Sequence, residues 1–187
     1  MTQDNTNTLQ FVRRAGQVKR YHSELVIKEQ TVGEHTFNVV WLAYLLTDQC
    51  PSVGLLMGCM AHDAAEHSTG DIPSPTKRLL DIRDLVDHLE AKLMSGAGLR
   101  LPAMDTYDLF ILKLADAMDG LLYVLRERSL GNRTLGAVWN NYWKYCQEVL
   151  ATYHADFHGV EGAALRTTYE VADKILKDAG EQWEQMQ

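Results

Sequence analysis

Between residues 61 and 71 the chain reads AHDAAEHSTGD, which sets His62, Asp63, Glu66, His67 and Asp71 close together directly after the apolar run VGLLMGCMA. Imidazoles and carboxylates crowded at the edge of a core have two uses. They can be the polar end of a helix turned to water, or they can hold a divalent cation and manage the proton of a water beside it. Adjacent His62 and Asp63 point about 100° apart on a helix, so they share a partner only near a helix end. Glu66, one turn past His62, returns to the same face. Two other segments carry groups of the same kind. His35 opens the apolar stretch HTFNVVWLAYLL, and Asp116 lies inside FILKLADAMDGLLYVL. A lone histidine in such a place is usually a hydrogen-bonded core residue. An ionised carboxylate there must be paired, hydrogen-bonded or bound to a cation. Together His35, His62, Asp63 and Asp116 offer two imidazoles and two carboxylates. That donor set suits one borderline divalent ion (Mn, Co, Ni, Fe or Zn) and suits Mg less, since Mg prefers all-oxygen surroundings.

These groups come from segments that read as helices. Apolar residues at Leu9, Val12, Ala15 and Val18 give residues 8–21 one buried face. Residues 34–49 are apolar almost all round, which predicts a buried helix. A third helix, 52–67, starts behind Pro51 with Ser52 as its cap. Gly70, Pro73 and Pro75 then impose a loop. Helices are expected at 77–95, 103–129, 134–154 and 161–185. Only LVIKEQTV, residues 25–32, has strand character. The expectation is an all-α bundle of six or seven main helices, forming one domain over residues 1–187.

Composition narrows the function. The formal charge of −7, without a basic stripe, disfavours a surface for duplex nucleic acid. It leaves room for a small anionic ligand held by one or two basic residues. Cys50, Cys59 and Cys146 are widely spaced and form no C-x-x-C pair, so neither a disulfide framework nor a zinc ribbon is indicated. No apolar run reaches membrane-spanning length, and MTQDNTNTLQ lacks the charged-then-apolar pattern of a signal peptide. The expected location is a reducing cytoplasm, with no membrane partner.

The order His35, then His62-Asp63, then Asp116, on a helical chain, resembles the HD-domain metal-dependent phosphohydrolases. The segment HDAAEHSTGDIPSPTK, residues 62–77, is similar to the H-D-x-x-E-x-x-T-G-D-x-P-x-P-x-K segment of the YfbR-type 5′-deoxynucleotidases. KRYHSELVIKEQTVGEH, residues 19–35, resembles that group's segment in which an Arg-Trp pair precedes V-x-E-H. KLADAM, residues 113–118, resembles its K-x-A-D segment, and Gly131-Asn132 fits the Gly-Asn that follows. The resemblance spans roughly residues 10–135. It implies an HD-fold domain, a homo-oligomer (a dimer or larger), and hydrolysis of the phosphate ester of 2′-deoxynucleoside 5′-monophosphates. Small phage-encoded members of the type act on dATP as well.

The resemblance implies roles residue by residue. His35, His62, Asp63 and Asp116 would be metal ligands, and Glu66 the acid/base that handles the attacking water. Arg20 would contact phosphate, Asp71 would hold the sugar 3′-hydroxyl, and Lys77 would lie near phosphate. Tyr21 stands where the group carries a Trp that crowds the 2′ side of the sugar, which leaves ribose discrimination open. Ser23 replaces an apolar residue near the base, and His67 replaces an apolar residue. Beside an active enzyme stand two alternatives, a catalytically idle HD domain that binds nucleotide as a sensor and a cyclic phosphodiesterase. The remaining candidates read as structural. His67 and His88 as ligands of a second metal, or His154 and His158 as a zinc pair, are outweighed by surface or packing roles. Trp139, Tyr142, Trp143 and Tyr145 read as core or as a subunit seam. Cys59 reads as a small hydrophobe, and RDLVDHLEAK as a solvated helix face.

Overall fold

The computed structural model describes residues 5–156 and 163–187. Among them lie nine helices: α1 (Asn5–Ala15), α2 (Val32–Leu46), α3 (Val53–Ala61), α4 (Glu66–Thr69), α5 (Ser74–Leu79), α6 (Arg83–Gly96), α7 (Thr106–Ser129), α8 (Gly136–Asp156) and α9 (Ala163–Gln185). The all-α expectation holds. Seven of these helices have nine residues or more, and α4 and α5 are short. LVIKEQTV is not a strand, and the one bridge here joins Lys19 to Thr31.

The long helix α7 is the axis. It packs against α2, α3, α8 and α9, and its Ile111, Leu114, Ala115, Met118, Leu121 and Val124 are fully buried in the main core. A smaller core of Phe11, Ala15, Ala61, Ala64 and Ala65 joins α1 to the α3–α4 turn and the underside of α6. Local chemistry sets the helix starts. Thr31 and Glu34 form a capping box on α2, Ser52 caps α3 through the Leu55 amide, and Asp105 caps α7 through Asp108. Gly33 lies so close to Gly16 that a Cβ would sit 3.0 Å from the Gly16 carbonyl. That approach docks the 16–31 segment on the start of α2.

Three expected helices differ from the observed ones. The first ends at Ala15, because the chain turns to make Arg20 N–H to Gln30 O (2.9 Å) and Val32 N–H to Val18 O (2.8 Å). Helix 52–67 breaks at His62. The His62 ring hydrogen-bonds the Cys59 carbonyl (2.8 Å), which in a continuing α-helix would accept from the Asp63 amide, and the chain tightens into three-residue turns before α4. Helix 77–95 is split by Leu80–Ile82, with Asp81 at φ 52°. A fourth difference is burial. Helix α2 buries His35, Val39, Leu42, Ala43 and Leu46 but leaves Phe37, Trp41 and Leu45 exposed, so only one side of this apolar helix is core.

The residues read as structural divide as follows. Cys59 is buried in the main core, and the 83–90 face is mostly exposed, as expected. Trp139 is core, stacked on Trp183 at 4.3 Å. His88 is exposed, and His67 meets Phe11 edge-on at 4.4 Å, so packing accounts for it. The side chains of His154 and His158 lie outside the described residues.

Candidate active site

His35 and His62 converge. His35 leaves the first turn of α2 and is fully buried, and His62 sits at the end of α3. Their Nε2 atoms are 3.1 Å apart. Each ring is fixed from behind at Nδ1, His35 by the Asp119 carboxylate at 2.6 Å and His62 by the Cys59 carbonyl at 2.8 Å. Both acceptors require a proton on Nδ1, so both Nε2 lone pairs face the same point. Asp116 Oδ1 lies 3.1 Å from His35 Nε2, and Asp63 Oδ2 lies 3.5 Å from it and 3.4 Å from His62 Nε2. Two lone pairs facing each other among carboxylates repel unless a cation sits between them. His35, His62 and Asp116 offer ligand atoms within 4.8 Å of one another. Donor types, tautomers and spacing therefore fit one divalent ion of the borderline class. Neither His67 nor His88 joins this group.

The electrostatics agree. Burial alone would raise the Asp116 carboxyl, but the hydrogen bond and charge of His35, with His62 and Arg20 beyond, hold it well below the usual carboxylate range. Burial alone would lower His35, and Arg20 pushes the same way, yet its bonds to Asp116 and Asp119 leave it raised. Both shifts show that the surroundings favour a positive charge at this point, which suits a metal cation.

Arg20 reaches the cluster from the segment between α1 and α2. Its Nη1 donates to Asp63 Oδ2 at 2.9 Å, while its buried Nε has no protein partner. The segment is held from α7. Glu127, fully buried, accepts from the Ile27 amide (2.6 Å), the Lys28 amide (2.8 Å) and Asn132 Nδ2 (2.9 Å). Asn132 also donates to the Leu25 carbonyl at 2.7 Å, and Gly131 precedes it at φ 102°. The Gly-Asn pair thus clamps the segment that carries Arg20.

Glu66 begins α4 rather than continuing α3. It is buried, with Oε2 lacking a partner. Burial, then the neighbouring Asp63 and Asp71 charges, push its carboxyl up to about 9 against the opposing pull of Arg20 and Lys77. A carboxyl raised in this way can hold a proton beside the cluster, and a cation there would draw its pKa back down. Asp71 follows Gly70 (φ 73°) on the loop, half-buried and near enough to act on Glu66. Lys77 on α5 faces Glu90 on α6 at 3.9 Å. Tyr21, at φ 55°, stacks on Tyr123 (4.4 Å), and its hydroxyl donates to the Tyr142 hydroxyl at 3.1 Å.

Two features escaped the sequence. Asp116, expected to be buried, has a side chain 41% exposed at the open side of the cluster, and the carboxylate that α7 does bury is Asp119. The rule that an acid inside an apolar helix needs a partner applies to Asp119 as much as to Asp116, and was the signal available. Tyr142, assigned by its spacing to core or seam, packs against the main core over Gly120 and in addition meets Tyr21 beside Arg20.

Comparison with known proteins gives a consistent set of relatives. Residues 7–157 match the model of the YfbR-like 5′-deoxynucleotidases. A dATP triphosphohydrolase of Acinetobacter phage SH-Ab 15497 is 30% identical over 168 residues, covering 80% of this chain and 79% of the relative. The fold is similar to that of the cyanophage S-2L HD phosphohydrolase DatZ, solved bound to dA and one catalytic Zn²⁺ (TM-score 0.66, 16% identity, 90% of this chain and 96% of that one). It is also similar to that of an HD-domain phosphohydrolase from Listeria innocua (TM-score 0.60, 16% identity, 95% and 99%). With two thirds of its length or more inside these matches, the chain belongs to the YfbR-like 5′-deoxynucleotidase family of HD-domain phosphohydrolases.

Proposed function

We propose that this enzyme hydrolyses 2′-deoxynucleoside 5′-phosphates around one divalent transition-metal ion held by His35, His62, Asp63 and Asp116. The observation that carries the reading is the convergence of the His35 and His62 Nε2 lone pairs on Asp116, with both Nδ1 protons committed elsewhere. When bound, the ion supplies Lewis-acid neutralisation of phosphate oxygens and acidification of a water. The chain's residues do the rest. Arg20, with a buried Nε still free, donates to a phosphate oxygen and holds the ester against the cluster. Glu66 takes the proton of the attacking water at its free Oε2 and passes it towards the leaving sugar oxygen. The water oxygen bonds to phosphorus, the bond from phosphorus to the sugar 5′-oxygen breaks, and that oxygen leaves as a hydroxyl. Asp71 accepts from the sugar 3′-hydroxyl, and Lys77 adds positive charge near phosphate.

The phage relative's name supports dATP as a substrate beside the monophosphates, and the exposed side of Asp116 supports room beyond the first phosphate. The Zn²⁺ of the cyanophage structure supports an ion of the borderline class. The exposed Phe37, Trp41 and Leu45 stripe supports a homo-oligomer. Three free cysteines support a reducing cytoplasm, and among the described residues no helix is long and apolar enough to cross a membrane.

The test is a panel of dNMP, dNTP and NMP substrates with Zn, Co, Mn, Ni, Fe and Mg added separately to metal-stripped protein, with products separated. Deoxynucleoside should appear with phosphate or triphosphate, and chelation should abolish it. Full activity of verified metal-free protein in excess chelator would sink the mechanism. Turnover of cyclic nucleotides alone, or of nothing, would return the two alternative readings.

A further inference from the structure

We infer that Asp119 is the positioning residue of the metal centre, and that Asn38 and Gln30 hold its carboxylate oriented for that task. The inference rests on the proposed metal-ligand role of His35. Asp119 is buried on α7, 3% exposed. Its carboxylate accepts three side-chain donors. Oδ2 takes His35 Nδ1 at 2.6 Å and Gln30 Nε2 at 2.9 Å, and Oδ1 takes Asn38 Nδ2 at 2.8 Å. Two of the three donors are side-chain amides, from Gln30 and Asn38.

Both oxygens of Asp119 are used as acceptors, Oδ2 by His35 and Gln30 and Oδ1 by Asn38, so the carboxylate cannot turn without losing a bond. Fixed in this way it holds the ring proton of His35 on Nδ1, and Nε2 presents its lone pair to Asp116, Asp63 and His62. A carboxylate behind a ligating imidazole also makes its other nitrogen a stronger donor. His62 has only a neutral carbonyl behind it, that of Cys59. The two histidines are therefore unequal ligands, and His35 is the one tuned by charge.

Asp119→Asn separates this role from simple filling of space. The amide keeps the shape but offers one acceptor where three donors converge. If its oxygen serves His35 and Gln30, its NH₂ faces that of Asn38. If the amide turns, its NH₂ faces His35 Nδ1, which favours the tautomer with the proton on Nε2, where the metal belongs. The readout is the dissociation constant for Zn²⁺ and Co²⁺, measured on metal-stripped protein by competition with a chromophoric chelator. Asp119→Asn should bind about 10- to 100-fold more weakly than wild type. Asn38→Ala, which leaves the His35 contact in place, should shift affinity in the same direction by less, and the Co²⁺ absorption spectrum should change in both. Circular dichroism checks the fold. If Asp119→Asn does not fold, Asn38→Ala and Gln30→Ala decide the matter on their own. Wild-type affinity in every folded variant would overturn the role of Asp119. No metal binding by wild type would instead overturn the proposed function.

Discussion

Glu127 offers a test of how the fold delivers Arg20 to the site. This carboxylate is fully buried, and its three donors, the Ile27 and Lys28 amides and Asn132, all belong to the clamp on the 16–31 segment. In Glu127→Gln, an oxygen in place of Oε2 can still serve Ile27 and Asn132, but the new NH₂ then faces the Lys28 amide. One bond to a charged acceptor is lost, a change of about 1–3 kcal/mol. Glu127→Ala strands all three donors. Lys28 and Ile27 lie near the surface, where water can reach part of the deficit, so about 2–5 kcal/mol is expected. For a chain of this size that lowers the melting temperature by roughly 4–20 °C. The pH dependence has a definite sign. Burial alone would raise the Glu127 carboxyl, but the bonds from Asn132 and the two amides outweigh it and hold it below the ordinary 4.5. A carboxyl depressed in the folded state stabilises above its unfolded pKa, and that stabilisation is lost as pH falls through the folded value. The gap between wild type and Glu127→Ala should thus be full at pH 7 and narrow on acidification below about 4.5. Thermal denaturation followed by circular dichroism across that range reads it directly. Because Arg20 rides on the same segment, kcat/KM should fall in both variants below their melting temperatures. Equal melting temperatures at pH 7, or a gap that widens in acid, would refute the clamp.

Two further perturbations address the chemistry. Glu66→Gln keeps the buried shape and removes the proton carrier; turnover should slow about 100-fold or more while metal content by elemental analysis stays at the wild-type level, and near-normal turnover would exclude Glu66 as the acid/base. Gly120→Ala places a Cβ 2.4 Å from the Tyr142 ring, so the helix or that ring must shift, which disturbs its bond to Tyr21. The expected results are a loss of about 1–3 kcal/mol from overpacking and a rise in KM for deoxynucleotide, measured by melting and steady-state kinetics, and an unchanged KM would remove Tyr142 from the substrate side of the site.

The helical class and the candidates His35, His62 and Asp116, which the fold brings together, were legible because apolar periodicity and misplaced polar residues are local signals. His35 and Asp116 stand out against the apolar runs that hold them, whatever the tertiary fold. Breaks in the helices were not legible, because their causes are contacts. Nothing in the stretch CMAHDAAE reveals that the His62 ring will bond the Cys59 carbonyl and turn Glu66 onto a new helix, yet that turn is what leaves the Glu66 Oε2 free beside the cluster. The exposed side of α2 was hidden for a related reason. Composition says that Phe37, Trp41 and Leu45 are apolar, but only the placement of α3, α7 and α9 decides which side of α2 they cover. The pair Asp116 and Asp119 marks the boundary between the two kinds of information. Residues three apart on a helix lie on one face with Cβ atoms about 5–6 Å apart, a spacing that lets two carboxylates flank a single imidazole. Asp116 meets His35 at Nε2 and Asp119 meets it at Nδ1. The sequence DAMD carries that spacing in full. What it lacks is the ring between the two acids, so it cannot say which acid faces the substrate and which fixes the histidine from behind. That difference comes from the approach of α2 to α7, and with it the proposed division of labour between a ligand and its positioning residue.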